Sequence, residues 1–446
     1  MELQQETEKV LGRLIRFNTV NPPGNERECQ KWLSGYLEEA GFECELMGAD
    51  PQRPNLVARL RGDRGGAGDE RSEAPGPVLG YLSHVDTVLA SAEDWSRDPW
   101  SGDVHDGYLW GRGALDMKSQ TAAEVVAGAR LARDGWRPAH GELKIMSVVD
   151  EEAGGHMGAK WLTEERPDAA RCDLLLNEGG GPVMPFGDRR LYGVCCAEKG
   201  TFRFAVRTSG RAGHASVPGL ADNALLRLVP LVERLGSGRA GYDLTEEPRA
   251  FMTALGEDPG DPDAALRHIT EVDSRLAAMV EPTFGVTFSP TIISASEKIN
   301  VIPAHAELKV DCRVPPGMGA EDTLRRIHEV LGDGSGPDAG FEVEFLEQVI
   351  GNRSPIDSPL MDAISEWVGE QDPEGEVVPT VLPAFTDSRW YRAAFPDCVA
   401  YGFFPQRHMS LYESWPLVHG ADERIDVRDL GFAASFFHEL PRRLLS

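Results

Sequence analysis

The chain has 446 residues, of which 41% are hydrophobic and 26% are charged, and its formal net charge is −27. This length exceeds what one compact core supports, so we expect two domains in an ordinary soluble globular protein. A surface this acidic repels phosphate backbones and anionic lipids, which excludes nucleic acid and membranes as expected partners. Seven cysteines without a CxxC spacing, together with the lack of a signal-peptide pattern, predict a cytoplasmic protein with reduced thiols.

The first part of the chain alternates between helical and strand-like patterns. Helical spacing of apolar residues occurs at 3–18, 26–40 and 118–135. Apolar runs that predict strands occur at 55–60, 78–83, 143–152 and 173–181. The Gly- and Asp-rich stretch 62–76 is predicted to be a loop. Strand and helix in alternation indicate a largely parallel sheet with helices on both faces.

The pattern changes near residue 195. Strands are predicted at 201–209, 285–295, 306–314 and 341–349, and helices at 221–236 and 320–332. This β-α-β-β-α-β order is the ferredoxin-like split motif, interrupted by an insertion at 238–283. The predicted fold class is therefore α/β, a mostly parallel sheet domain with an inserted ferredoxin-like α+β domain. The expected boundaries are 1–194 and 350–446 for the first domain and 195–349 for the inserted one.

Acidic residues and histidines cluster where strands of the first domain are predicted to end. They are His84, Asp86, Asp116, Glu151, Glu152, Glu178 and, after a later apolar run at 398–405, His419. Open α/β sheets bind ligands at this edge, and Asp86 could fix the tautomer of His84. Adjacent carboxylates repel each other unless cations hold them, although Glu151 and Glu152 alone could form an exposed acidic turn. Together these side chains predict a site for two metal ions about 3.5–4 Å apart, Zn²⁺ with Co²⁺ or Mn²⁺ as alternatives.

Ordered motifs along nearly the whole chain resemble those of the M20-type metallopeptidases. They are LSHVDTV, DGYLWGRGALDMK, VVDEEAGG, NEGG, RAGHASVP, INVIP, DCRVPPG, TDSRW and HGADERI. This is the family of acetylornithine deacetylase, succinyl-diaminopimelate desuccinylase, aminoacylase and glutamate carboxypeptidase. The C-terminal motifs are more similar to its carboxypeptidase S and N-acyl-amino-acid hydrolase branch. The resemblance implies a zinc-binding α/β domain with an inserted lid that also serves in dimerisation.

The resemblance also implies roles for the clustered residues. One metal would be held by His84, Asp116 and Glu178, and the other by Asp116, Glu152 and His419, so that Asp116 bridges the two. Glu151 would be the general base, and Asp86 would support His84. A cis peptide bond between Asp116 and Met117 is expected.

Four further residues are implied at the substrate. His214 would stabilise the oxyanion, and in related dimers this histidine reaches the neighbouring subunit, so we expect a homodimer. Asn300, Arg313 and Arg389 are candidates to hold a substrate carboxylate, although a structural ion pair is the alternative for each arginine.

The predicted function is hydrolysis, by a two-zinc enzyme, of the amide bond in an N-acyl amino acid or small peptide with a free carboxylate. A dipeptidase or carboxypeptidase rather than a deacylase, and a non-catalytic binding protein that keeps the fold, are the alternatives. The aromatic side chains Phe385, Trp390, Phe403 and Phe404 could line an apolar pocket or simply belong to the core.

Overall fold

The computed structural model describes residues 2–62, 76–332 and 340–446, so most of the predicted loop at 62–76 lies outside the described residues. The chain divides into two compact units. The first unit comprises Met1–Cys196, Ser354–Thr380 and Thr386–Ser446, and the second comprises Ala197–Arg353 and Val381–Phe385. The expected domain boundaries, 1–194, 195–349 and 350–446, remain a proposal.

A nine-stranded sheet forms the centre of the first unit. In spatial order its strands are Glu43–Met47, Asn55–Arg61, Glu142–Val148, Val78–His84, Leu174–Asn177, Val399–Gly402, Arg189–Glu198 and Gly375–Leu382, with Val183–Phe186 pairing beside Arg189–Glu198. The four central strands, from Glu142–Val148 to Val399–Gly402, are parallel to one another. On either side of them, antiparallel pairs join Glu43–Met47 to Asn55–Arg61, Asn55–Arg61 to Glu142–Val148, Val399–Gly402 to Arg189–Glu198, and Val183–Phe186 to Arg189–Glu198. The α/β class with a mostly parallel central sheet is confirmed.

Helices pack around this sheet, some directly against its strands and others against neighbouring helices. The described helices of the first unit are Leu3–Ile15, Arg27–Glu38, Lys118–Arg133, Ala159–Glu165, Pro167–Ala170, Pro359–Gln371, Ser388–Ala394, Leu411–Ser414 and Val427–Leu444. Lys118–Arg133 is buried along nearly its whole length and packs against both Leu3–Ile15 and Val427–Leu444. Its alanine-rich sequence, KSQTAAEVVAGARLAR, allows this close approach on several sides. A small sheet of Val104–His105, Tyr108–Trp110 and Arg424–Asp426 completes the unit.

The second unit contains an antiparallel sheet with two helices of the ferredoxin-like order. Its strands in spatial order are Thr287–Ser294, His305–Val314, Phe204–Ser209 and Glu342–Phe345, and Gly200–Thr201 pairs with the end of His305–Val314. The two helices of the motif are Ala224–Ser237 and Ala320–Leu331. The insertion holds three helices, Glu246–Leu255, Pro262–Val272 and Ser274–Val280. A short ladder pairs Gly213–His214 with Val301–Ile302.

Two further expectations concern the whole chain. All seven cysteines are free thiols, as the scattered spacing predicted. Among the described residues, no helix combines the length and apolar character that crossing a bilayer requires.

Candidate active site

The carboxyl ends of the parallel strands bring the predicted metal ligands together. His84 is the last residue of Val78–His84, and Glu178 directly follows Leu174–Asn177. Glu151 and Glu152 begin a single 3₁₀ turn just after Glu142–Val148. Because neighbouring parallel strands end at the same edge, residues far apart in sequence meet there.

The first group of side chains surrounds the Nε2 atom of His84. The Oδ1 atom of Asp116 lies 3.1 Å from it, the Oε1 atom of Glu178 3.8 Å and the Oε2 atom of Glu151 3.9 Å. Ligand atoms of His84, Glu151 and Glu178 lie close enough together to hold one metal ion. Glu151, which the resemblance makes the general base, is thus a member of this group, together with His84 and Glu178, which were predicted as ligands.

The second group contains Asp116, Glu152 and His419. The Nε2 atom of His419 lies 3.0 Å from Asp116 Oδ2 and 3.2 Å from Glu152 Oε2. Asp116 thus directs one carboxylate oxygen towards each histidine, which is the geometry expected of a bridging ligand. The peptide bond between Asp116 and Met117 is cis, as expected.

Asp86 contacts both His84 and the turn that carries Glu151 and Glu152. The Nδ1 atom of His84 lies 3.0 Å from the main-chain oxygen of Asp86 and 3.6 Å from its carboxylate, so the main-chain oxygen is the nearer acceptor. The carboxylate of Asp86 accepts hydrogen bonds from the backbone N–H groups of Glu151 and Glu152, each at 3.2 Å. It therefore links the His84 strand to the Glu151 turn.

Sequence reasoning missed Glu423, which organises the loop that carries Asp116. Its buried carboxylate accepts hydrogen bonds from the backbone N–H groups of Asp116 at 3.0 Å and Leu115 at 2.6 Å. It also pairs with Arg112, whose Nη2 donates to the main-chain oxygen of His419. One ion pair thus fixes the loops of both Asp116 and His419. The signal was present in the sequence, because Glu423 lies in HGADERI, four residues after the ligand.

Asp387 is a second buried carboxylate that sequence reasoning did not single out. Burial raises its pKa well above the usual range, and the charges of Asp86 and Glu178 add to the effect. Its Oδ2 atom has no hydrogen-bond partner within the described parts of the chain. Sequence alone gave no reason to assign Asp387 a role of its own, and only Arg389, two residues later in TDSRW, was named as a candidate.

The charges of the site create a strongly negative environment. Hydrogen bonds with Asp116 and Glu152 raise the pKa of His419 to about 10. Burial alone would lower the pKa of His84, but hydrogen bonds with Asp116 and other carboxylates raise it well above its ordinary value. Burial, reinforced by the charge of Asp116, raises the pKa of Glu178 to about 7.

This environment fits cations. Carboxylates this close repel one another unless positive charge lies between them, and the two imidazoles are drawn towards the protonated form for the same reason. Imidazole nitrogens and carboxylate oxygens together suit Zn²⁺ and related divalent ions. The donor set in the described residues therefore fits two neighbouring metal ions.

Arg389 is bound to the turn that carries Glu151. Its Nη2 atom donates to the main-chain oxygen of Gly154 at 2.9 Å, and its guanidinium lies 4.4 Å from the ring centroid of Trp390. Trp390 donates its indole N–H to the same oxygen at 3.2 Å. Arg389 thus has structural contacts with a main-chain oxygen and an aromatic ring, which differ from the ion pair considered as its alternative role.

The remaining predicted substrate residues belong to the second unit. Arg313 pairs with Asp311 at 2.6 Å, again the ion-pair alternative. His214 is exposed, and its Nδ1 atom lies 2.7 Å from the hydroxyl oxygen of Ser216. Asn300 is also exposed. These positions leave the roles of His214, Asn300 and Arg313 as proposals.

Two of the four aromatic residues proposed for a pocket lie in the core. Phe403 is fully buried with its ring 5.1 Å from that of Phe436, and Phe404 stacks at 6.4 Å on Phe437. Both therefore pack against the C-terminal helix Val427–Leu444, as the core alternative had it. Trp390 remains partly exposed.

Comparison with known proteins gives concordant matches. Residues 80–443 match the model of peptidase family M20/M25/M40. The chain is 25% identical over 382 residues to probable carboxypeptidase S-like protein 2 of Dictyostelium discoideum, covering 82% of this chain and 71% of that protein. It is 30% identical over 458 residues to a succinyl-diaminopimelate desuccinylase of Psychrobacter sp., covering 99% and 96%. An M20 family metallo-carboxypeptidase from Sulfolobus solfataricus has the same fold, with a TM-score of 0.69, 17% identity and 99% coverage of each chain.

Proposed function

Because this chain belongs to peptidase family M20/M25/M40, we propose that it is a two-zinc enzyme that hydrolyses N-acyl amino acids or small peptides with a free carboxylate. The family assignment expected from the motifs is confirmed, and the chain is a metal-dependent amide hydrolase. The alternative of a non-catalytic binding protein is accordingly not retained. We propose the identity of the metal ions, their number and the class of substrate.

The observation that carries the proposal is the position of Asp116 between two histidines. His84, Asp116 and Glu178 would hold one zinc ion, and Asp116, Glu152 and His419 the other. Bound metal ions supply Lewis acidity that polarises the amide carbonyl and activates water. Co²⁺ or Mn²⁺ could replace Zn²⁺, because the donor set is one of imidazoles and carboxylates.

Glu151 is the proposed general base. Burial and the nearby charge of Glu178 raise its pKa well above that of a free glutamate. A carboxylate with a raised pKa takes a proton from the attacking water more readily and can then pass it to the leaving nitrogen. Asp86 would keep Glu151 in place through the hydrogen bond to its backbone N–H.

The free carboxylate of the substrate would be held by basic or amide side chains. Arg313 and Asn300 of the second unit are our first candidates, with Arg389 retained from the sequence. His214 would donate a hydrogen bond to the developing oxyanion. Sequence resemblance, rather than a measured distance, supports these four roles.

A homodimer is part of the same proposal, with His214 supplied to the partner's site. Within the described residues, the strand Thr287–Ser294 pairs with one neighbour, His305–Val314, so that its other edge has no strand beside it there. Ile292 and Ile293 on this strand are 57% and 53% exposed. An open, apolar strand edge favours symmetric pairing with a second copy. A cytoplasmic location likewise stays a proposal, from the cysteine pattern.

Deacylase and carboxypeptidase activity differ only in the group on the acyl side of the bond. The relatives carry both kinds of name, a carboxypeptidase S-like protein and a succinyl-diaminopimelate desuccinylase. A panel of N-acyl amino acids and dipeptides, assayed for released amine, separates the two. Release of amine from neither class would refute the proposed substrate.

A further inference from the structure

The turn that carries Glu151 and Glu152 has an unusual backbone. Asp150 precedes it with a φ of 72°, and Gly154 and Gly155 close it with φ values of 102° and 72°. All three lie in the left-handed region, which an L-residue such as Asp150 adopts only when its surroundings enforce it. The conformation of the turn therefore depends on contacts made by its ends.

The side chain of Asp150 is one such contact, and it is buried. Its Oδ1 atom accepts hydrogen bonds from Arg53 Nη1 at 3.0 Å and from Asn21 Nδ2 at 3.2 Å. Its Oδ2 atom accepts the backbone N–H of Met157 at 3.1 Å. Arg53 is itself held by Glu26, with Nη2 and Oε1 2.7 Å apart. The first end of the turn is thus fixed to a buried ion pair.

The amide of Asn21 extends this connection to Asp86. The Nδ2 atom donates to Asp86 Oδ2 at 2.9 Å as well as to Asp150. Asp86 in turn accepts the backbone N–H groups of Glu151 and Glu152. A continuous chain of hydrogen bonds therefore runs from Asp150, outside the proposed ligand set, through Asn21 and Asp86 to the backbone N–H groups of Glu151 and Glu152.

The other end of the turn is held separately. The main-chain oxygen of Gly154 accepts hydrogen bonds from Arg389 and Trp390. A Cβ atom on Gly155 would lie 2.3 Å from Asp387 Oδ1, so the chain packs closely against this segment. With both ends fixed, the direction in which Glu151 and Glu152 point is set by the anchors.

We propose that Asp150, held by Arg53 and Asn21, is a positioning residue that aims Glu151 at the substrate and Glu152 at the second metal position. This inference rests on the function proposed above. A buried ion pair is weak evidence for stability. Here it can orient the turn, because Asp150 is the residue before Glu151 and shares the amide of Asn21 with Asp86. A displacement of about 1 Å at a reacting group can lower a rate by about 10²-fold.

The test compares Asp150→Asn with a matched control, Asp372→Asn. Asp372 is also a buried aspartate bound by an arginine, Arg190, and it accepts the hydroxyl of Tyr192 at 2.8 Å. We expect Asp150→Asn to lower kcat by about 10²-fold with KM within about twofold. Zn²⁺ affinity, measured by calorimetric titration of the chelated protein, should fall on the order of 10- to 100-fold. Asp372→Asn should lower Tm while kcat and Zn²⁺ affinity stay at the parent values.

A second variant, Asn21→Ser, leaves the pair of Arg53 with Glu26 intact and removes only the shared amide. It should change kcat and Zn²⁺ affinity in the same direction, by about 10-fold. Parent-like kcat and affinity in a folded Asp150→Asn or Asn21→Ser protein would overturn the positioning role alone, as would equal losses in Asp372→Asn. A parent protein that binds no Zn²⁺ would instead overturn the proposed function, and this inference with it.

Discussion

Glu151 and Glu152 are neighbours in sequence with different surroundings in the structure. Glu152 Oε1 accepts the backbone N–H of Val88 at 3.2 Å, and its other oxygen lies beside His419. Glu151 lies 3.9 Å from the Nε2 atom of His84, about as far as the proposed ligand Glu178 at 3.8 Å. The contact with His419 supports the ligand role of Glu152, and the family resemblance supports the base role of Glu151.

Conservative substitutions should therefore separate the two residues. Glu151→Gln should lower kcat by about 10²–10⁴-fold while both metal ions are retained, because only proton transfer is lost. Glu152→Gln should lose metal from one position, because an amide is a weaker ligand than a carboxylate. Steady-state kinetics and metal content per chain measure both effects. Loss of metal from Glu151→Gln with retention in Glu152→Gln would show that the roles are exchanged.

At this scale the sequence predicted which histidine and carboxylate side chains come together, but not the residues that support them. An HxD motif and acidic residues at strand ends have a recognisable spacing, so His84 and Asp116 could be named in advance. Glu423 lies in the motif HGADERI, which could have pointed to it, whereas Asp150 could not be singled out, because its value lies in a contact with Arg53, a residue distant in sequence. A single sequence carries no signal for such a contact.

The turn from Asp150 to Gly155 carries Glu151 and Glu152 and packs closely against Asp387. Gly155 has a positive φ, and an added Cβ would lie 2.3 Å from Asp387 Oδ1 and 3.0 Å from Trp390 Nε1. Gly135 has a similar φ of 80°, but a Cβ there would meet nothing within 4 Å. The two glycines differ in steric room and share the same backbone conformation.

This difference makes a matched pair of variants. Both alanine substitutions incur the cost of a left-handed residue, about 1–2 kcal/mol, whereas Gly155→Ala adds an overpacking cost of about 1–3 kcal/mol. Gly155→Ala should therefore reduce the free energy of unfolding more than Gly135→Ala, and should also lower kcat. Urea denaturation and the hydrolysis rate measure the two. Equal destabilisation by the two variants, with full activity in Gly155→Ala, would mean that the turn can shift to admit the added methyl group without affecting catalysis.

At the level of elements, periodicity predicted most helices and strands but not which apolar runs were accessible. The run at 398–405 was correctly placed before His419, yet its Phe403 and Phe404 were offered for a pocket. Both follow the strand Val399–Gly402 directly and are buried against Val427–Leu444, which is the core alternative that the sequence also allowed. An apolar run has the same appearance in sequence whether it lines a pocket or fills a core.

For the whole molecule, the proposed dimer predicts that two inactive variants can restore activity when their subunits are mixed. If each active site borrows His214 from its partner, His214→Ala and Glu151→Gln should each be inactive as homodimers. Mixing the two under subunit exchange should restore activity, because one site of the mixed dimer has both an intact base and an intact histidine. The restored rate should approach one quarter of the parent rate for random exchange of equal amounts.

Size measurement gives the control for this experiment. Analytical ultracentrifugation of each variant should show a dimer, so that failure to exchange is distinguished from failure to assemble. A parent chain that stays monomeric and fully active at high dilution would rule out a borrowed His214. The proposal of a two-metal site in the first unit would be unaffected by that result.

The central claim is that hydrolysis depends on metal ions held by Asp116 and its neighbours. The most direct measurement is the rate of amine release from an N-acyl amino acid or dipeptide substrate as Zn²⁺ is returned to chelated protein. The rate should fall to background after chelation and rise with added Zn²⁺ until two ions are bound per chain, as counted by elemental analysis. Full activity in protein shown to contain no metal would contradict the account.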